Sequence, residues 1–159
     1  MTWPFYFHSM THVPYSYAHP HSRRYTFTSL GKKKIEKVVD FVPLKAKNVM
    51  NFGFGDLLPD GSIDDKANSN NGDILKVMAT VVEILKNFTA SNPQIVIYFA
   101  GSTDERTILY ARILKNYYAI FSREFVIFGI TGTEKDNKAI PFDPHANLEY
   151  LAFLIKRIN

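Results

Sequence analysis

The sequence predicts an α+β domain: an antiparallel-rich mixed sheet with helices packed on one face, in the order βββαβαβα. Three observations carry this. Segments that alternate between apolar and polar residues fill the first third of the chain. Two stretches with apolar residues at helical spacing follow, near residues 74–88 and 104–121. Between them lies Gln94–Ala100, a continuous apolar run of strand length, the pattern of a strand buried on both faces.

Residues 1–22 read as an arm. They hold Trp3, three prolines and His8, His12, His19 and His21, with no sustained period. No carboxylate accompanies the histidines, and His19-Pro20-His21 suits an extended segment better than a closed metal site. A packed aromatic arm or a frayed end fits this composition. A single domain then spans 23–159. Tyr25–Thr28 alternates and ends at Gly31. Lys34–Val42 alternates roughly and stops at Pro43. Val49–Gly55 is apolar with Gly53 and Gly55 inside it, which predicts a bulge or a close backbone approach. The stretch Leu57–Gly72 is rich in turn formers, above all Pro59-Asp60-Gly61 and Asn68–Gly72. Ile74, Val77, Met78, Val81, Val82, Ile84, Leu85 and Phe88 then mark a helix, capped by Asn70 or Asn71, with Asp73 in its first turn. After the Gln94–Ala100 strand, a helix is predicted over Asp104–Phe121, a strand over Phe125–Ile130, a polar turn up to Lys138, and a short amphipathic helix over Asn147–Ile158. Parallel pairing of the two strands near Ile95 and Val126 would require a right-handed connection.

The chain has 159 residues, 46% of them hydrophobic, enough for one core. It has no cysteine, which excludes disulfides, thiolate metal sites and cysteine nucleophiles and suits a reducing compartment. No stretch approaches the ~18 apolar residues that span a bilayer, and the first residues lack the layout of a secretory signal. A cytoplasmic location and no membrane partner are expected.

Net charge is +4, unevenly spread. Arg23, Arg24, Lys32, Lys33, Lys34, Lys37, Lys45 and Lys47 face only Glu36 and Asp40 between residues 23 and 47. This stretch either meets phosphates or supplies lysines that guard a sheet edge. Arg23, Arg24, Tyr25, Phe27, Lys32 and Lys34 would form a stacking platform for nucleic acid, or ordinary alternation on a half-buried sheet. From Asp56 to Asp73 the sign reverses.

Two constellations point to chemistry. Gly101-Ser102-Thr103 joins a strand to a helix, with Arg106 one turn on. A helix start offers unpaired N–H groups to an anion, glycine allows close approach, and arginine can fork onto a phosphate. The competing reading is a Ser102–Glu105 capping box, with Asp104 and Glu105 repelling an anion. The second constellation is Asp56, Asp60, Asp64, Asp65, Asn68, Asn70, Asn71 and Asp73, an oxygen-rich loop in which Asp64 and Asp65 are candidate ligands of a divalent metal. Its spacing matches no EF-hand. No nucleophile–base pair is present, and His145 sits beside Pro144 in a polar connection.

Asn51–Asp56, Asp64-Asp65, Ser69–Asp73, Val77–Val81, Gly101–Thr103 with Arg106, and Leu109-Tyr110 together resemble a small bacterial protein family of unknown function, over roughly residues 24–130. The resemblance implies no activity, ligand or catalytic residue.

The expected function is a binding module for a phosphate-bearing ligand, a nucleotide or nucleic acid. Its expected ligand-binding residues are Gly101, Ser102, Thr103, Arg106, Asp56, Asn70 and Asn71, gathered near one end of the sheet. One alternative is a protein-interaction or self-associating module that forms a homo-oligomer through the arm. Another is an enzyme using Asp56, Asp64 or Asp65 with Arg106.

Overall fold

The computed structural model describes residues 13–64, 70–101 and 103–158. Among them are nine strands in a mostly antiparallel sheet and three helices. The strands are β1 (Tyr17–His21), β2 (Arg24–Leu30), β3 (Lys34–Pro43), β4 (Val49–Leu57), β5 (Ile63–Asp64), β6 (Val96–Phe99), β7 (Phe125–Gly132), β8 (Asn137–Pro141) and β9 (Ala152–Arg157). The helices are α1 (Ile74–Ala90), α2 (Asp104–Asn116) and α3 (Tyr118–Phe121). Hydrogen-bonded neighbours follow the order β1-β2-β3-β4-β6-β9-β7-β8, with β5 pairing to β4 off that path.

The antiparallel-rich mixed sheet is present, but the element order departs from βββαβαβα. Among the described residues from 147 onward none is helical: Ala152–Arg157 is β9, antiparallel to both β6 and β7. Ala152, Phe153 and Ile155 are buried from both sides of this central strand. A short apolar run buried on both faces carries no period that separates strand from helix. The expected arm contains β1, and the expected polar turn runs into β8. Both are exposed edge strands, so neither carries a core-facing alternation. β6 and β7 are not neighbours, because β9 lies between them; the parallel partner of β6 is β4. The expected helix over Asp104–Phe121 is interrupted at Tyr117, which separates α2 from α3.

The chain groups into two compact units. The first takes in the described residues up to Asp40 and Gly53–Phe88. Tyr25, Phe27 and Ser29 alternate along β2 onto its buried face. Val77, Met78, Val81, Val82, Ile84 and Leu85 of α1 are buried in the same unit. The Tyr25 hydroxyl donates to Asn87 Oδ1 of α1 at 2.7 Å, joining strand to helix. Lys37, Val38 and Val39 are buried in succession, which explains why β3 alternates only roughly. As the interior glycines of β4 suggest, β5 crosses closely over Gly55: a methyl group there would overlap the Asp64 carbonyl oxygen.

The second unit comprises Phe41–Phe52 and the chain from Thr89 onward. Aromatic rings fill its core. Phe99 lies 5.7 Å from Phe52, 5.7 Å from Tyr110 and 5.3 Å from Phe153 by ring centroids. Phe142 and Tyr150 extend this cluster, each within 6.0 Å of Phe153.

Tyr25 gives the first unit an alkaline sensitivity. Burial, and then the neighbouring Tyr17, push its phenol up to about 12. An unfolded tyrosine ionises near 10, so between about pH 10 and 12 the unfolded chain has lost a proton that the folded chain keeps. Stability from this group is therefore whole below about pH 10 and falls as pH rises toward 12, by on the order of 2 kcal/mol. Tyr25→Phe should cost about 1 kcal/mol at neutral pH, through the lost bond to Asn87, and reduce the difference between urea midpoints at pH 8 and 11. An equal alkaline loss in Tyr25→Phe would refute the assignment.

Candidate functional site

Ser29 ends the buried alternation of β2 with a hydroxyl that is fully out of solvent, so it requires partners. It donates to Asp73 Oδ2 at 2.5 Å and accepts from Asn71 Nδ2 at 2.9 Å. Asp73 stands just before α1, and its carbonyl accepts the first helical bond from Val77 N at 3.0 Å. Its carboxylate lies at the positive end of that helix and also accepts the Tyr15 hydroxyl at 2.6 Å. Burial, followed by the Asp73 hydrogen bond, raises the Tyr15 phenol above its ordinary range. The Tyr15 hydroxyl in turn accepts Leu30 N at 3.0 Å, and Tyr15 N donates to the buried Thr80 Oγ1 at 2.8 Å.

Asn71 holds the tip of the β2–β3 hairpin. Its backbone carbonyl accepts Lys32 N at 2.8 Å and its Oδ1 accepts Lys33 N at 2.8 Å. Its Nδ2 also donates to Lys33 O at 2.7 Å. Asn70 and Gly72 flank it in left-handed backbone, at φ 36° and 84°, the conformation favoured by the Asn-rich run. Gly31 allows the approach, since a methyl group there would overlap the Asn71 carbonyl oxygen. Lys32, Lys33 and Lys34 all stand exposed on this immobilised tip. Asn71 thus acts as a structural clamp, with its carboxamide oxygen and both of its recorded N–H bonds directed at the protein.

The other cations of the basic stretch divide by role. Arg24 forks onto Asp40 with both bonds at 2.7 Å and donates to Gly61 O at 2.8 Å. The Asp40 carboxylate raises the already high Arg24 value. Lys37 is buried beside the Phe54 ring and pairs with Asp56 at 2.6 Å. Asp56 sits opposite Asp64 across β4 and β5. Tyr25 and Phe27 are core residues, so the stacking platform expected from the sequence has no free rings at those positions. His19 stacks on Tyr25 at 3.9 Å.

The Gly101 turn lies in the second unit, whereas Asp56, Asn70 and Asn71 lie in the first. Ser102 and Asp65 are outside the described residues. Thr103 is the N-cap of α2, its Oγ1 accepting Arg106 N at 3.3 Å. The cap therefore falls one residue later than a Ser102–Glu105 box. Thr107 N bonds to Thr103 O at 3.1 Å, and Gly101 N donates to Thr107 Oγ1 at 3.0 Å. A methyl group on Gly101 would overlap the Arg106 side chain and Thr107 N. The glycine thus admits the chain's own helix, and two N–H groups of the expected anion pocket, those of Gly101 and Arg106, are engaged internally. The Arg106 guanidinium carbon lies 5.9 Å from the Tyr110 ring centroid. Among the described residues, no group of three histidine or carboxylate side chains is arranged to hold a metal ion.

Sequence reasoning missed Tyr15, Ser29 and Gly31. A serine at a core-facing position of an alternating strand was the available signal, because a hydroxyl there needs a buried acceptor.

Two stability measurements check this geometry. Gly31→Ala should lower stability by about 1–3 kcal/mol through overlap with Asn71, whereas Lys32→Gln should stay within about 0.5 kcal/mol. Lys37→Met should cost about 2–3 kcal/mol by leaving the Asp56 carboxylate without its cation, and adding Asp56→Leu should restore most of that loss. A double variant no more stable than the single one would contradict the pairing.

No curated protein and no solved structure matches the chain. Residues 11–158 match the family of unknown function DUF6934, a span that includes β1 and β9 as well as the motifs between them. The chain therefore belongs to the DUF6934 family of unknown function.

Proposed function

We propose that the protein is a binding module for a phosphate-bearing ligand, held at the tip of the β2–β3 hairpin. The observation that supports this is the row Lys32, Lys33 and Lys34, exposed on a backbone that Asn71 immobilises at Lys32 and Lys33. Three adjacent ammonium groups concentrate positive potential, and a fixed backbone reduces the ordering cost of binding. Arg24 and Lys37 are committed to carboxylates within the fold, whereas Lys32, Lys33 and Lys34 stand exposed side by side at the tip. This moves the reading from the Gly101 turn, where internal bonds engage Gly101 N and Arg106 N, to the hairpin. A cytoplasmic setting, where nucleotides and nucleic acids are abundant, accords with a chain that has no cysteine.

Fluorescence anisotropy with a short single-stranded oligonucleotide tests the reading. Binding should weaken with salt at a slope near −0.7 per phosphate contacted, or about −2 for three lysines. The triple substitution K32Q/K33Q/K34Q should remove most of both affinity and slope. A triple variant that binds like the wild type would refute the proposal.

A further inference from the structure

The hairpin tip carries a second property that the phosphate reading leaves unused. In the first unit, the described large aliphatic side chains that stand exposed are Val13, Leu30, Leu58 and Ile74. Two of these four flank one hydrogen-bond knot. Leu30 N donates to the Tyr15 hydroxyl, and Ile74 follows Asp73, which accepts that same hydroxyl. Leu30 is 62% exposed and Ile74 45%. Leu30 is also the register partner of Lys34, so an exposed aliphatic and a lysine stand side by side on one face of the hairpin.

Resting on the phosphate reading and narrowing its ligand, we propose that this tip docks on the surface of an anionic lipid bilayer. Leu30 and Ile74, on the two sides of the tip, enter the headgroup boundary, and Lys32, Lys33 and Lys34 contact lipid phosphates and carboxylates. Exposed aliphatic side chains beside lysines match an interface that is apolar below and negative above. They match nucleic acid less well, because base stacking uses aromatic rings, and Tyr25 and Phe27 are buried while Tyr15 stacks on Phe27 at 6.0 Å. Two carboxylates near the tip keep their charge and offset the lysines in part: Asp73, which accepts Tyr15 and Ser29, and Glu36, which accepts the Thr28 hydroxyl farther along the hairpin. The three lysines outnumber them. Lys76 lies over the Tyr15 ring at 4.5 Å. The expectation of no membrane partner rested on the lack of a spanning segment. No helix among the described residues is long and apolar enough to cross a membrane, and surface docking needs none.

The test uses the full chain with sedimenting vesicles of pure phosphatidylcholine, vesicles containing about 30% phosphatidylserine, and the single-stranded oligonucleotide. The wild type should bind the phosphatidylserine vesicles, not the neutral ones, and should be released by about 0.5 M salt. Each lysine is worth about fivefold at such a surface, so K32Q/K33Q/K34Q should lose roughly a hundredfold. Leu30→Ser and Ile74→Ser should each weaken vesicle binding up to about tenfold and leave oligonucleotide binding unchanged. Both positions are exposed, so the thermal midpoints of these variants should match the wild type. As an independent readout, Leu30→Trp should bind the phosphatidylserine vesicles more tightly, with a fluorescence blue shift larger than that of the wild type. Oligonucleotide binding without vesicle binding, or vesicle binding indifferent to Leu30→Ser and Ile74→Ser, overturns the lipid inference and leaves the phosphate reading standing. Binding to neither overturns both.

Discussion

A hydroxyl buried at the end of β2 constrains much of the first unit. Ser29 cannot reach water, so its hydrogen bonds must be made by protein. Asp73 and Asn71 make them, and in doing so bring the segment before α1 against the hairpin. Asp73 then takes a second hydroxyl from Tyr15, and Asn71 takes the backbone of Lys32 and Lys33. Helix start, hairpin tip and N-terminal segment are thereby tied through adjacent atoms. Loss of one member would leave others buried and unpaired, which is more costly than the bond itself.

The same economy governs the charges. Arg24 and Lys37 belong to a basic stretch that in sequence reads as one feature, yet the fold draws both inward and matches each with a carboxylate. Lys37 is the sharper case. Its aliphatic stem lies among buried residues of β3, and its ammonium meets Asp56 beside the Phe54 ring. What remains for a ligand is the set that the fold does not consume, and on the hairpin that set is Lys32, Lys33 and Lys34. The Gly101 turn illustrates the opposite outcome. Its small residue, its hydroxyl and its helix N-terminus are all features of an anion site, and they are used to seat the helix on its own strand.

Legibility in the sequence followed how strongly each element was periodic. The helix over Ile74–Ala90 and strand β2 were readable because one face of each is apolar and the other is not, and β4 because it is a short apolar run broken by glycines. β1 and β8 were not readable, since exposed edges carry no core-facing pattern. β9 was misread for the opposite reason, because burial on both faces erases the period. At the candidate site, the run Lys32–Lys34 and the left-handed tendency at Asn70 to Gly72 were visible. The clamp by Asn71 was not, because its partners stand 38 and 42 residues away in the chain.

The sequence by itself determined the composition of the two principal features: an antiparallel-rich sheet with amphipathic helices, and a concentration of lysine between residues 23 and 47. Both are local properties, set by periodicity and by charge count. Tertiary structure alone decided which lysines are free, which glycine accommodates its own chain and which asparagine is a clamp. Those roles depend on where a side chain finds a hydrogen-bond or charge partner once water is removed, and the partners come from distant segments. Lys37 and Lys33 are alike in sequence, but one is buried against Asp56 and the other stands exposed on a turn held by Asn71.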